Sequence, residues 1–195
     1  MFRNMNVPNL CTDRRAAVSV EFVLVSLVLI FFIIFLADLI LRQATTGKLD
    51  RVSYSVAGIL RERIELFDAR ETLTQQDVDL AAQLAARMLK DMHTNIDLSG
   101  LQLTVEELHF EDPLRLNDQS KRVKRYRSWQ SGSARQCTPP QPLNQLTQLT
   151  PRGSYGRWVP LYQVTVCLPN LSWFTRLTSR EQRPVLSSYA IVMVR

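Results

Sequence analysis

The chain of 195 residues offers few places where chemistry could begin, and the first is a lone carboxylate. Glu21 follows Ala16-Ala17-Val18-Ser19-Val20 and precedes Phe22, after which no charge occurs until Asp38. A carboxylate at the end of so apolar a run costs a few kcal/mol unless a partner neutralises it. It therefore serves a function, sits at headgroup level in a first helical turn begun at Phe22, where the helix dipole favours it, or is simply tolerated there. The second place is a set of cysteines, Cys11, Cys137 and Cys167, of which only the first precedes the apolar run. If a membrane separates them, Cys137 and Cys167 share the far side. In an oxidising compartment such a pair is a disulfide candidate, favoured over two free thiols. A bridge between them would close about 30 residues and contribute roughly 3–4 kcal/mol on the chain-entropy account.

Other chemistries have less support. The only histidines are His93 and His109, and neither stands in a Ser/His/Asp or Cys/His context. There is no CxxC, no metal-ligand spacing and no Gly-rich phosphate loop, so the sequence names no catalytic residue, no metal and no cofactor, and the reading is not an enzyme. Glu106-Glu107 and Glu111-Asp112 read as ordinary strand-end charges. The densest basic run, Lys121 to Arg127 (KRVKRYR), reads as a solvated strand or loop, or a contact to acidic lipid or another subunit, rather than a nucleic-acid patch. Basic residues number 24 against 18 acidic, a formal charge of +6 with both signs interspersed, which is too modest an excess to demand nucleic acid.

The elements that must position these residues begin with the apolar run itself. Ala16 to Leu41 reads AAVSVEFVLVSLVLIFFIIFLADLIL, with Glu21 and Asp38 as its ionisable residues. That length suffices for a membrane-spanning helix, which needs about 20 apolar residues. A cleavable secretory signal would be shorter and end in small residues, and Arg14-Arg15 lacks the context of a twin-arginine signal. Asp38 and Arg42, four residues apart, read as a snorkelling pair at the membrane exit. Basic residues nearly balance across the span (Arg3, Arg14, Arg15 before; Arg42, Lys48, Arg51 after), so orientation is read from other features. The short N-terminus and the cysteine distribution favour an internal N-terminus and an external C-terminal part.

Past Arg42, Leu49, Val52, Val56, Ile59, Leu60, Ile64 and Phe67 recur at helical spacing and mark one buried face. Either the membrane helix continues outward, or a second helix starts after Thr45-Thr46-Gly47, where propensity is poor. Thr74-Gln-Gln-Asp77 has the form of a capping box, and Val78, Ala81, Ala82, Ala85, Met88, Leu89 and Met92 line one face behind it. From Leu101 to Phe110 apolar and polar residues alternate, as in a half-buried strand. Further strands are expected over 121–129, 158–168 and 187–194, with a long Pro/Gln/Thr-rich surface loop between Gly132 and Gly156. Two helices followed by four strands predict an α+β head with an antiparallel sheet packed on the helices.

One segment carries a resemblance. Arg14-Arg15-Ala16-Ala17-Val18-Ser19-Val20-Glu21-Phe22 followed by a long apolar helix resembles the processing site of type IV pilins and pseudopilins. In those families a prepilin peptidase cuts after a small residue, and Glu is the fifth residue of the mature chain. Counted back from Glu21, the cut would fall between Ala16 and Ala17, with Ala16 in place of the usual glycine. Glu21-Phe22 looks like the Glu-Tyr/Phe variant of tight-adherence (Tad/Flp) pilus subunits. The plan is similar to the TadE/TadF group of pseudopilins, and within it to TadF.

The resemblance implies a leader at 1–16, a transmembrane helix at 17–42, a helix extension at 43–67 and a periplasmic α+β head at 68–195, the pilin-like plan. It implies a minor pilin in the inner membrane whose partners are the prepilin peptidase, other pilin or pseudopilin subunits and the Tad assembly machinery. It further implies that Glu21 neutralises the α-amine that cleavage leaves on Ala17 of a neighbouring subunit. The alternative is a periplasmic binding or scaffolding module on an uncleaved signal anchor.

Overall fold

A long apolar run without proline leads into the longest element, helix α1, Arg14–Arg61. In the computed structural model, residues 14–62, 72–92, 98–113, 118–132, 137–153, 155–169 and 185–193 are described, with the side chains of 14–17 excepted. Cys11, Ile64, Phe67 and His93 lie outside that set. The chain divides into two units, Met1–Arg42 and Gln43–Arg195. The helical assignment of α1 is unbroken at Thr45-Thr46-Gly47, so of the two alternatives read from the sequence the continuous one is found.

Within the second unit, α1 buries Leu49, Val52, Val56, Ala57 and Leu60. Helix α2, Gln75–Met92, adds Val78, Ala81, Ala85 and Leu89, with Ala82, Met88 and Met92 partly buried beside them. Its start is a reciprocal cap. The Thr74 backbone N–H donates to Asp77 Oδ2 (2.9 Å), and the Asp77 N–H donates back to Thr74 Oγ1 (3.3 Å). Losing that hydroxyl removes the acceptor that Thr74 offers the Asp77 N–H, so Thr74→Ala is expected to cost about 1 kcal/mol. The check is a lower urea midpoint for the full chain in detergent, with an unchanged slope.

Four strands follow: β1, Gln102–Phe110; β2, Val123–Ser131; β3, Leu161–Pro169; and β4, Val185–Met193. They form one antiparallel sheet in the order β2-β1-β3-β4. Alternation sends Leu103, Val105, Tyr162, Val164, Val166 and Ala190 toward the helices. A buried polar link joins the two layers there. Ser188 Oγ on β4 donates to Asp50 Oδ1 on α1 (2.5 Å) and lies 3.0 Å from Ser53 Oγ.

The other face is covered as well, which corrects the half-buried strand and the surface loop expected from sequence. β1 and β3 are buried at nearly every position, on both sides. The segment from Cys137 through the 3-10 turns Leu143–Gln145 and Thr147–Leu149 lies across that back face. Leu143 packs there with Leu108, Phe110 and Leu161. Thr104 Oγ1 donates to the Cys137 carbonyl (2.6 Å) and Gln163 Nε2 to the Gln141 carbonyl (3.2 Å). The Pro-rich stretch is therefore a strap on the sheet.

Candidate assembly site

The first unit is built from residues that water disfavours. In α1 the side chains of Phe22, Val28, Ile40 and Leu41 are among the most exposed, Phe22 at 72%. The most apolar window of the helix has a mean hydropathy of 3.1 and none of it is buried, and by length and composition it can cross a membrane. Leu24, Val25, Val28, Leu29 and Phe32 line one shallow apolar groove along it. A helix that is hydrophobic all round must be covered by lipid or by other helices. Glu21 stands exposed on this surface, beside Phe22.

The backbone of Ala16 and Ala17 belongs to the first turn of α1. Unwinding a first turn forfeits few hydrogen bonds, because its N–H groups have no intrahelical partner. Ala17 and Glu21 are four residues apart, so they share a helix face one turn apart, about 6 Å along the axis. The geometry thus puts a carboxylate within one turn of any charge that appears at Ala17. Covalently, the structure joins Cys137 and Cys167: the two form a disulfide with a Cα–Cα separation of 5.6 Å. Both are buried, and the bond ties the start of the strap to β3.

Sequence reasoning passed over the head's buried charges. Glu106 and Glu107 are mid-strand and buried, not the strand-end charges expected, because both sheet faces are covered. Glu106 turns to the back face, where Oε1 accepts from the Tyr126 hydroxyl and Oε2 from the Leu143 N–H (3.1 Å). Burial, and then this carboxylate, push the Tyr126 phenol well above its ordinary pKa. Glu107 turns to the helix face and is fully buried. Its Oε1 meets His109 Nε2, and Arg125 Nη2 lies 3.4 Å away. Its Oε2 has no hydrogen-bond partner. The available signal was the alternation: Glu107 falls in register with Leu103 and Val105, on the apolar side.

Two residues of the basic run, Lys121 and Arg125, are held by the head, while Arg122, Lys124 and Arg127 are exposed. The Lys121 ammonium donates to the carbonyls of Thr147 (3.2 Å), Gln148 (3.1 Å) and Thr150 (3.1 Å), closing the C-terminal end of the second 3-10 turn. It also sits 5.1 Å from the centroid of Trp158, with Arg152 at 5.4 Å. Nearby, hydrogen bonds from Ser120, first its side chain and then its backbone N–H, hold the Asp118 carboxyl below its ordinary pKa, with Arg122 and Arg152 adding to the effect. Among the described residues no group of His, Cys, Asp and Glu could hold a metal ion.

No curated protein and no solved structure matches this chain. One family model does, over residues 9–195: that of tight adherence pilin protein F, TadF.

Proposed function

Because this chain belongs to the TadF family of tight adherence pilin proteins, with a role in tight-adherence pilus systems, we propose that it is a minor pilin. A prepilin peptidase cuts it between Ala16 and Ala17, and it helps to initiate or assemble the surface fibre. In this reading residues 1–16 are the leader and 17–42 the transmembrane helix in the inner membrane. Residues 43–67 extend the helix, and 68–195 are the periplasmic head. The N-terminus is cytoplasmic. The Cys137–Cys167 disulfide supports a head in an oxidising compartment. The protein is a structural subunit, not an enzyme, and its partners are other pilus subunits, the peptidase and the Tad machinery.

The observation that carries this reading is the apolar helix, none of whose most apolar window is buried among the described residues, with a carboxylate one turn from Ala17. Cleavage leaves a positive α-amine on Ala17. Glu21 of an adjacent subunit neutralises that amine, and the pairing strengthens as the helices desolvate each other. The helix can then leave lipid for a bundle without carrying a bare charge.

One preparation tests both halves. In cells that hold the peptidase, mass measurement of the N-terminus is expected to find Ala17, and Glu21→Ala is expected to be inserted and cut but largely missing from sheared pili. An intact Met1 would instead support the uncleaved anchor. Normal incorporation of Glu21→Ala would remove the role given to that carboxylate.

A further inference from the structure

The uncharged part of the apolar helix is short for its task. Between Glu21 and Asp38 lie sixteen residues, 22–37, without a charge. Within the unbroken helix α1 they rise about 24 Å. The hydrocarbon core of a bilayer is about 30 Å thick, so the two carboxylates cannot both stand clear of it. They meet that shortfall unequally, because helical side chains lean toward the N-terminus of their helix. Glu21 therefore leans out of the span, and its long side chain reaches the headgroups from inside the boundary. Asp38 is short and leans back into the span, so its Cα has to stay at the edge. Arg42, one turn further along, leans back toward the same level. Beyond Asp38 the residues Leu39, Ile40 and Leu41 are apolar and exposed. By apolar content alone the helix would sink until Arg42 met the boundary, and Asp38 opposes that.

We propose that Asp38 is a depth stop: it fixes the height of α1 in the bilayer and thereby sets the Ala16–Ala17 bond at the opposite boundary. The link to that bond rests on reading it as the peptidase's cut. Counted back from Asp38 at 1.5 Å per residue, a core of about 30 Å takes about 20 residues and ends at Val18. Ala17 is then the first residue outside the core. Glu21 lies one turn inside, with a carboxylate that leans out to the level of Ala17. The two ends of the span are in this way one ruler, with the acid at its far end and the bond at its near end. With leucine in place of Asp38 the uncharged run becomes 22–41, long enough to fill the core by itself. The helix then moves toward its N-terminal side by about four residues, about 6 Å. Glu21 leaves the hydrocarbon in that move, which drives it.

The test uses the full-length chain with Cys11→Ser, in native membranes of cells that lack the peptidase. Single cysteines are placed at positions 18–20 or 39–41 and treated with N-ethylmaleimide, which reacts with thiols in water and not with those in hydrocarbon. Cys137 and Cys167, joined in their disulfide, take no label. With Asp38 present, positions 39–41 are expected to label and 18–20 to be protected. Asp38→Leu is expected to reverse both, labelling gained at 18–20 and lost at 39–41, while Asp38→Glu keeps the original pattern. In cells that hold the peptidase, Asp38→Leu should be cut more slowly than the unchanged chain at equal expression, and Asp38→Glu at the same rate. An unmoved pattern in Asp38→Leu, or a loss at 39–41 with no gain at 18–20, would overturn the depth stop. A chain that moves and is still cut at the original rate would overturn the link to processing. An unchanged chain left uncut would instead remove the reading of Ala16–Ala17, with the depth stop still judged by the labelling alone.

Discussion

A Glu107→Ala chain is expected to lose about 3 kcal/mol of stability, the lower end of the range for breaking a buried ion pair by removing one partner. The carboxylate is fully buried, while the His109 and Arg125 side chains retain 15% and 32% exposure. Removing the anion leaves two donors beside the core with nothing to accept from them. Water can reach Arg125 in part, which is why the lower end applies. Glu107→Gln keeps an acceptor for His109 but not the charge, and should fall between the wild type and the alanine variant. The measurement is a urea midpoint for the full chain. A double cycle with His109→Ala should show the two losses to be non-additive, since the residues share one contact. A loss below about 1 kcal/mol for Glu107→Ala would mean that the carboxylate contributes no more to the fold than a surface pair does.

The second large effect lies on the opposite face of the sheet. Cys167→Ser is expected to lower stability by roughly 3–4 kcal/mol. For a domain near 150 residues that corresponds to a fall of about 10 °C in melting temperature. The cross-link constrains the open chain, and it also holds the strap where its backbone is needed. Freed from it, the Cys137 and Gln141 carbonyls drift from Thr104 and Gln163, and the Leu143 N–H from Glu106. Reduction of the wild-type protein should reproduce the loss, and hydrogen exchange should accelerate at the Leu143 amide before it does in β1. Unchanged exchange at that amide after reduction would show that side-chain packing alone retains the strap.

Local signals in the sequence read well. The Thr74–Asp77 box and the three-and-four spacing from Val78 to Leu89 located α2, because both depend only on neighbours in the chain. The alternation from Leu101 located β1, and the uninterrupted apolar run placed Glu21 and Phe22 on an uncovered helix. What escaped was set by residues far apart in sequence. Thr104 and Glu106 alternate as polar, solvent-facing positions should, and only a strap arriving from 137–149 buries them. Lys121 reads as surface charge until the carbonyls of Thr147, Gln148 and Thr150 turn toward it. Glu107 was legible in principle, since its register with Val105 marks the inner side. Two adjacent glutamates invite a single reading, while a strand sends them in opposite directions.

The position of the strap also ties its cross-link to the alignment of the sheet. The face it covers does not exist in either strand alone: Thr104 and Glu106 come from β1, Gln163 and Cys167 from β3, and the two strands are brought into register over seven residue pairs, Gln102↔Cys167 to Leu108↔Leu161. That pairing gathers the strap's partners: Thr104 and Gln163 donate to its carbonyls, Glu106 accepts from its Leu143 N–H, and Cys167 comes beside Cys137. In the folded head the bond therefore marks the register of the two middle strands. Any change that slid β3 along β1 would carry Cys167 away from the start of the strap, so the covalent bond and the strand alignment stand or fall together.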